Sequence, residues 1–198
     1  KLKSVPYGLQ ISDLLINSCC YADDVTVVSP HIAGLQLLID ICLNYASEWR
    51  FNFGIKKTKC ITFGKQLLKQ DPVLKFKSEC IENVDVIDVL GFKFDKSLNF
   101  RQHIEHRAGV CRRSIFRLSS IGMCYPGLSS DVKAYLWKTV GSPALFYGAE
   151  CLSLSKTSLK TLASVQSSTV KNVIGFTKRS HHTILYNALN IDSPDNII

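Results

Sequence analysis

Residues 19–28 read Cys-Cys-Tyr-Ala-Asp-Asp-Val-Thr-Val-Val. Two runs of strand-type residues flank two adjacent acids, so this stretch predicts a β-hairpin with its turn at Asp23-Asp24. Two like charges in one turn repel each other unless a cation or a hydrogen-bond network compensates. Hard divalent ions such as Mg²⁺ bind carboxylate oxygens and keep waters for a phosphate substrate. The stretch therefore predicts a metal site, with an exposed acidic turn as the alternative, because Asp favours turns by itself.

The sequence around this hairpin predicts further strands and one long helix. Residues 9–11 and 14–16 flank Ser12-Asp13 as a second hairpin. Ser29-Pro30 resembles a helix start, with Ser as N-cap and Pro at the first helical position. Apolar residues then recur at helical spacing up to Trp49, which predicts a helix with one buried face. Residues 59–63, 74–77 and 87–94 are short strand candidates.

From Asn99 onward the apolar period becomes helical. A first helix carries an apolar stripe from Ile104 to Leu118, and further helices are predicted over residues 131–140, 156–174 and 183–189, with Gly175 expected to end the helix over 156–174. The predicted fold class is α+β, with strands and one helix in residues 1–97 and an all-helical part in residues 98–198. The first of these helices has an apolar stripe through Ile104, Ala108, Cys111, Ile115 and Leu118.

Charge points to a polyanionic partner. Lys plus Arg is 24 and Asp plus Glu is 16, so the net charge is +8, which favours nucleic acid over a membrane surface. No apolar run is long enough for a membrane span. Four arginines fall within eleven positions that contain no acidic residue, and we expect them to point outward and bind phosphate; a solvated helix face is the alternative. They are Arg107, Arg112, Arg113 and Arg117.

The cysteines favour a reducing compartment. None of the eight cysteines forms a Cys-x-x-Cys pair, and most lie in apolar segments, where a free thiol acts as a small hydrophobe. We therefore expect reduced thiols in an intracellular protein, in the nucleus or the cytoplasm. His103 and His106 are three residues apart, but no third metal ligand lies near them in sequence. Two exposed helix residues are the expected interpretation of this pair.

Several motifs in order resemble one protein family. Tyr21-Ala22-Asp23-Asp24 is similar to the palm motif of reverse transcriptases of non-LTR (LINE-like) retrotransposons. Residues 51–60, Phe-Asn-Phe-Gly-Ile-Lys-Lys-Thr-Lys-Cys, resemble the next palm motif of that family. Residues 89–95, Val-Leu-Gly-Phe-Lys-Phe-Asp, resemble its primer-gripping hairpin, and residues 99–107 resemble the start of its thumb. The resemblance extends from residue 8 to residue 190, through Tyr147-Gly148-Ala149-Glu150 and the helix with Gln166.

The resemblance implies an activity and an architecture. The chain would be a partial polymerase palm, an antiparallel sheet with a packed helix, followed by a helical thumb and C-terminal helices. The implied enzyme is an RNA-directed DNA polymerase that joins nucleotides to a primer 3′ end. Two Mg²⁺ ions would assist this nucleotidyl transfer. An RNA template, a DNA primer and a deoxynucleoside triphosphate would be the partners, and no membrane partner is implied.

The resemblance also implies residue roles. Asp23 would be the main metal ligand, and Asp24 would support the site more weakly or through water. Tyr21 would pack against the nucleotide or the primer. Lys57 would be the general acid that protonates the departing pyrophosphate, although a solvated basic turn is its alternative. Gly91 would allow the backbone to approach the primer strand closely, and the four arginines would follow the backbone of an RNA–DNA hybrid.

Departures from the family pattern limit these expectations. Gly54 stands where Asn is common, and Val89 stands where an aromatic residue is common. The family needs another catalytic Asp on an earlier strand, together with fingers, and Asp13 is the only carboxylate before Asp23. We therefore expect a palm-plus-thumb fragment that is inactive alone. A non-catalytic nucleic-acid-binding remnant and an unrelated basic α+β interaction domain are the alternatives.

Overall fold

The computed structural model describes residues 2, 5–64 and 72–198, and the chain forms two compact units, Lys1–Gly91 and Phe92–Ile198. The division falls between Gly91 and Phe92, whereas the sequence predicts a boundary after residue 97. The α+β class is confirmed, since strands concentrate in the first unit and helices in the second.

The first unit consists mainly of short strands around one helix. Its described elements are β1 Leu9–Ile11, β2 Leu14–Ile16, β3 Ser18–Tyr21, β4 Asp24–Val27, α1 Ile32–Glu48, a 3₁₀ turn at Ile55–Lys57, β5 Lys59–Cys60, β6 Lys75–Phe76, β7 Glu79–Cys80, β8 Glu82–Asn83 and β9 Val86–Val89. Strands β1 and β2, β3 and β4, and β6 and β7 pair antiparallel, and β5 pairs with β8 in parallel.

The pairing differs from the antiparallel sheet that the resemblance implied, because β5 and β8 pair in parallel. Within the described part of this unit, the strands pair in twos, and they are only two to four residues long. Strands this short form few ladder hydrogen bonds, and an isolated hairpin is marginally stable without packing against a helix or further strands. The packing of α1 therefore contributes much of the support for this unit.

Helix α1 packs one face on the core of the first unit. That core contains Ile39, Cys60, Leu74, Phe76 and Ile81. The expected helix start at Ser29-Pro30 is wrong, because α1 begins at Ile32 with His31 as N-cap residue. The Ser29 hydroxyl instead accepts a hydrogen bond from the His31 N–H (3.2 Å) and donates one to the His31 carbonyl (3.0 Å). Its side chain closes a local turn before the helix rather than capping the first helical turn.

The second unit is one strand followed by helices. Its elements are β10 Phe92–Asp95, α2 Arg101–Ser120, α3 Ser130–Leu136, a π-helical segment at Trp137–Gly141, α4 Ser142–Phe146, a 3₁₀ turn at Ala149–Cys151, α5 Lys156–Ile174, α6 His182–Leu189 and α7 Pro194–Ile197. In the part of the chain that the structure describes, no helix combines the length and the hydrophobicity that crossing a membrane requires.

The core of the second unit lies between α2, α4 and α5. The predicted α2 stripe is confirmed, since Ile104, Ala108, Cys111 and Ile115 are buried. The buried Trp137 ring donates its Nε1–H to Thr169 Oγ1 at 3.1 Å, so this large side chain leaves no unpaired polar atom. Because the buried stripe of α2 faces this core, the residues on the other side of α2 reach solvent.

Candidate metal and nucleic-acid sites

The acidic hairpin has a two-residue turn. Tyr21 pairs with Asp24 and Cys20 pairs with Val25, so the turn consists of Ala22 and Asp23. The expected turn at Asp23-Asp24 is therefore displaced by one residue, and Asp24 belongs to β4. With this register the ladder continues past Ser18–Val27, because the Val28 N–H donates to the Asn17 carbonyl at 2.9 Å.

Ala22 holds the turn in an unusual backbone conformation. Its φ is +52°, a left-handed value that costs an L-residue roughly 1–2 kcal/mol. Positive φ at the first turn residue suits a tight hairpin, because its twist matches that of the flanking strands. Ser12, in the turn between β1 and β2, has the same geometry with φ +53°. Lys77, in the turn between β6 and β7, has φ +58° as well. Of these three hairpin turns in the described part of the first unit, only the β3–β4 turn adjoins two successive acids, Asp23 and Asp24.

The acidic face of the hairpin points to solvent. Opposite residues of a ladder share a face, so Tyr21 and Asp24 project to the same side. Tyr21 is 68% exposed, both aspartates are exposed, and neither carboxylate makes a hydrogen bond or an ion pair with a described residue. Two carboxylates next to an exposed aromatic ring can accept a cation and contact a nucleotide.

The opposite face of the hairpin is directed toward α1. Burial raises the pKa of the Cys42 thiol in α1, and the nearby Cys20 thiol on β3 raises it further. Val27, on the same face as Cys20, packs against the core of the unit. Helix α1 therefore contacts the face of the hairpin opposite to Tyr21 and Asp24 and leaves the acidic face accessible.

The donor set fits a hard divalent ion only in part. Carboxylate oxygens are the right ligand type for Mg²⁺, and Asp23 and Asp24 supply them from adjacent positions. Among residues 2, 5–64 and 72–198, no group of three or more His, Cys, Asp or Glu side chains could hold a metal ion. A two-ion site needs more ligands than this pair provides.

Lys57 and Gly91 lie in other parts of the first unit. Lys57 ends the 3₁₀ turn Ile55–Lys57, is exposed, and forms no hydrogen bond or ion pair through its side chain within the described residues. Gly91 is exposed with φ +80° and follows Leu90 with φ +51°. Two successive left-handed residues are typical of a type I′ turn. The roles of Lys57 and Gly91 stay predictions.

Three of the four predicted arginines form an exposed basic face on α2. Arg112, Arg113 and Arg117 are exposed and form no ion pair with any described residue. Glu105, the only acid of the helix, accepts a hydrogen bond from Arg101 Nε at 2.9 Å. The three guanidinium groups are thus available for a polyanion, and phosphate matches their planar fork of donors.

Arg107 does not point outward, which corrects the sequence expectation. Its Nε donates to the Ala144 carbonyl at 2.9 Å, and its guanidinium lies 4.7 Å from the centre of the Tyr147 ring. Burial lowers the pKa of Arg107. The side chain therefore joins α2 to the end of α4, and its first role is structural.

His103 is buried rather than exposed, which corrects the second expectation on this helix. Nδ1 lies 3.3 Å from the Lys93 backbone nitrogen, Nε2 lies 3.2 Å from the Tyr147 carbonyl, and the ring stacks on Phe92 at 5.3 Å. A neutral ring with its proton on Nε2 satisfies both contacts. Burial lowers the pKa of His103, and the positive charges of Arg107, His106 and Lys93 lower it further.

Asp95, the last residue of the hairpin motif at 89–95, is a structural carboxylate. It is buried, and its Oδ1 accepts hydrogen bonds from the backbone N–H groups of Ser97 (3.0 Å) and Asn99 (3.4 Å) and from the Ser97 hydroxyl. Burial raises its pKa, but these hydrogen bonds outweigh burial, so the pKa is lowered overall. The Asp-x-Ser-x-Asn spacing before a helix is the sequence signal that could have identified this turn.

The described residues thus present an exposed acidic turn in the first unit and an exposed basic face on α2 in the second. Among known proteins, the chain is similar to RNA-directed DNA polymerases of mobile elements. The resemblance to reverse transcriptases of non-LTR elements is confirmed at about 25% identity.

Two curated relatives carry this resemblance, and both are named RNA-directed DNA polymerase from mobile element jockey. The protein from Drosophila melanogaster is 25% identical over 170 residues, which cover 82% of this chain and 18% of the relative. The protein from Drosophila funebris is 24% identical over 175 residues, which cover 85% and 19%. The chain spans less than a fifth of the length of these relatives. No protein-family model and no solved structure matches the chain.

Proposed function

We propose that this chain carries the metal-binding palm turn and the thumb of an RNA-directed DNA polymerase of a non-LTR element. The observation that carries the proposal is the β3–β4 hairpin, in which Asp24 faces Tyr21 across the ladder and Asp23 occupies the turn. The proposal is supported by the exposure of the hairpin face that carries Tyr21 and Asp24, and by relatives that match over more than four fifths of the chain.

The proposed chemistry is nucleotidyl transfer onto a primer 3′ end. Divalent ions, when bound, would stabilise charge on the attacking and leaving oxygens of the phosphoryl group. Asp23 would bind such an ion directly, and Asp24, held in the ladder, would bind more weakly or through water. Tyr21 would orient the primer or the incoming nucleotide against the exposed face. Lys57 would donate the proton that the departing pyrophosphate requires.

The second unit would hold the template–primer duplex. Arg112, Arg113 and Arg117 would contact the phosphates of an RNA–DNA hybrid without reading its sequence. In the first unit, Gly91 would lie against the primer strand. The eight cysteines are free thiols in the structure, which supports a role in a reducing compartment.

We propose further that the chain does not polymerise by itself. The described residues supply two adjacent carboxylates and no larger group of ligands, and an in-line transfer assisted by two ions needs more. A primer-extension assay with residues 1–198, Mg²⁺ and an RNA template should give no product. Mg²⁺-dependent synthesis that disappears in D24N would overturn this part of the proposal.

The metal-binding role is tested by titration with Mn²⁺, which replaces Mg²⁺ and whose unbound form is counted by electron paramagnetic resonance. The wild-type chain should bind more Mn²⁺ than the double variant D23N/D24N. D13N is the matched control, because Asp13 lies in the similar turn between β1 and β2, and it should bind as the wild type does. Equal binding by the double variant and the wild type would contradict the proposal.

A non-catalytic nucleic-acid-binding protein is the second candidate. The small number of candidate metal ligands among the described residues favours it, as does the unpaired basic face of α2. In that case D23N/D24N would change neither Mn²⁺ binding nor the affinity for a hybrid duplex, and only the arginine variants would weaken nucleic-acid binding.

A further inference from the structure

Phe116 is a large apolar side chain on the solvent side of α2. It is 75% exposed, although the neighbouring Ile115 is buried in the core of the second unit. Successive helix residues are turned by about 100°, so Phe116 lies well away from the buried stripe. With three quarters of its surface exposed, the ring contributes little burial energy to the fold and is available to stack against a ligand.

Arginines surround this ring on the helix surface. Arg112 and Arg113 precede Phe116 by four and three residues, which makes them its neighbours one turn earlier, and Arg117 follows it directly. Glu105 lies eleven residues earlier, about 16 Å along the helix axis, and is bound to Arg101. The surroundings of Phe116 on α2 are therefore positive and contain an exposed aromatic face.

We propose that Phe116 is a stacking site for an unpaired base of single-stranded nucleic acid, with Arg112, Arg113 and Arg117 binding the adjacent phosphates. The arginines recognise only the backbone, which every nucleic acid has. An aromatic ring adds recognition of a base face, and a base offers its face only when it is not stacked in a duplex. This inference rests on the proposed contact between α2 and nucleic acid and adds recognition of an unpaired base to the phosphate contacts.

The test compares three labelled probes by fluorescence anisotropy with the full chain at one salt concentration. The probes are a 15-nucleotide oligothymidylate, an abasic strand of equal length, and an RNA–DNA hybrid duplex. The wild type should bind oligothymidylate at least about fivefold more tightly than the abasic strand, the lower end expected for one base–aromatic stack. F116L should remove that preference while its affinity for the abasic strand stays unchanged. Y125L changes another exposed aromatic residue of the same unit and should bind as the wild type does.

The possible outcomes separate this inference from the proposed function. If the wild type binds oligothymidylate and the abasic strand equally, the stacking role is overturned and the phosphate contacts stand. If it binds none of the three probes, the nucleic-acid function of α2 is overturned as well. If F116L weakens binding of the hybrid as much as that of the single strand, the ring contacts a duplex and the inference is wrong. Because Phe116 is exposed, F116L should keep the wild-type circular dichroism.

Discussion

Tyr21 and Asp24 lie directly opposite each other in the β3–β4 ladder. Their Cβ atoms are therefore within about 5.5 Å, and both side chains project from the solvent face of the hairpin. Asp23 extends from the turn that joins them. The hairpin register thus presents an aromatic ring and two carboxylates together, while α1 supports the other face.

Replacing Ala22 with Gly should stabilise the first unit. Ala22 has φ +52°, and glycine adopts this conformation without the steric cost that a Cβ atom adds. We expect A22G to raise the free energy of unfolding by up to about 1 kcal/mol, measured by urea denaturation followed by circular dichroism. A46G is the control, because Ala46 is buried inside α1, and it should lower stability. A lower stability of A22G would show that the left-handed turn is not strained.

Removing the basic face of α2 should reduce the salt dependence of nucleic-acid binding. Each phosphate contact contributes about 0.9 to the slope of log affinity against log salt concentration. The triple variant R112Q/R113Q/R117Q should therefore lose about 2.7 of that slope with a hybrid duplex. R101Q changes an arginine that is bound to Glu105. It should change the slope by less than about 0.9, the value for one phosphate contact. An unchanged slope in the triple variant would exclude these arginines from the interface.

Changing Arg107 should affect stability more than binding. R107M keeps an apolar stem but loses the hydrogen bond to the Ala144 carbonyl and the guanidinium contact with the Tyr147 ring. We expect a loss of about 1–3 kcal/mol in the free energy of unfolding. R101M removes an exposed ion pair and should cost less than about 1 kcal/mol. A large change in hybrid affinity with unchanged stability would assign Arg107 to the nucleic-acid interface instead.

The second unit should lose stability as the pH falls below about 6.5. His103 has a pKa lowered from the ordinary 6.5, so in acid the unfolded chain takes up a proton that the native ring does not bind. The stabilisation is therefore present above pH 6.5 and is lost on acidification through the lowered pKa. Asp95 has a pKa lowered from 3.8, so its own stabilisation is lost only at pH values below about 4.

The measurement for His103 is urea denaturation at pH 5 and pH 7, followed by the fluorescence of Trp137, which is buried in the second unit. Trp49→Phe makes Trp137 the only indole, since the chain has two Trp residues. H103Q keeps a donor and an acceptor but does not titrate, so its stability should change less between the two pH values. An equal loss of stability on acidification in H103Q and in the protein that keeps His103 would rule out this ring as the source.

Local signals predicted the elements that local interactions determine. Helix α5 runs over the predicted residues 156–174, because the Ser155 hydroxyl accepts the Ser158 N–H at 3.2 Å at its start and Gly175 adopts φ +92° at its end. Both signals lie within the helix ends themselves. The acidic hairpin was recognised in the same way, although its turn lies one residue earlier than expected.

The contacts of His103 and Arg107 could not be predicted from the sequence. Both side chains bond to backbone carbonyls about forty residues later in the chain, at Tyr147 and Ala144. A helical pattern gives the direction of a residue relative to the apolar stripe, but it does not show which element covers the edge of that stripe. Both residues lie at that edge, where α4 meets α2, and tertiary packing determined their burial.

The proposed function requires Asp23 and Asp24 to bind a divalent ion, which anomalous scattering from crystals of the full chain soaked in Mn²⁺ would locate. We expect an anomalous peak within about 2.0–2.3 Å of a carboxylate oxygen of Asp23, and no such peak in D23N/D24N crystals. A wild-type crystal in which Mn²⁺ occupies other carboxylates while the Tyr21–Asp24 turn binds none would contradict it.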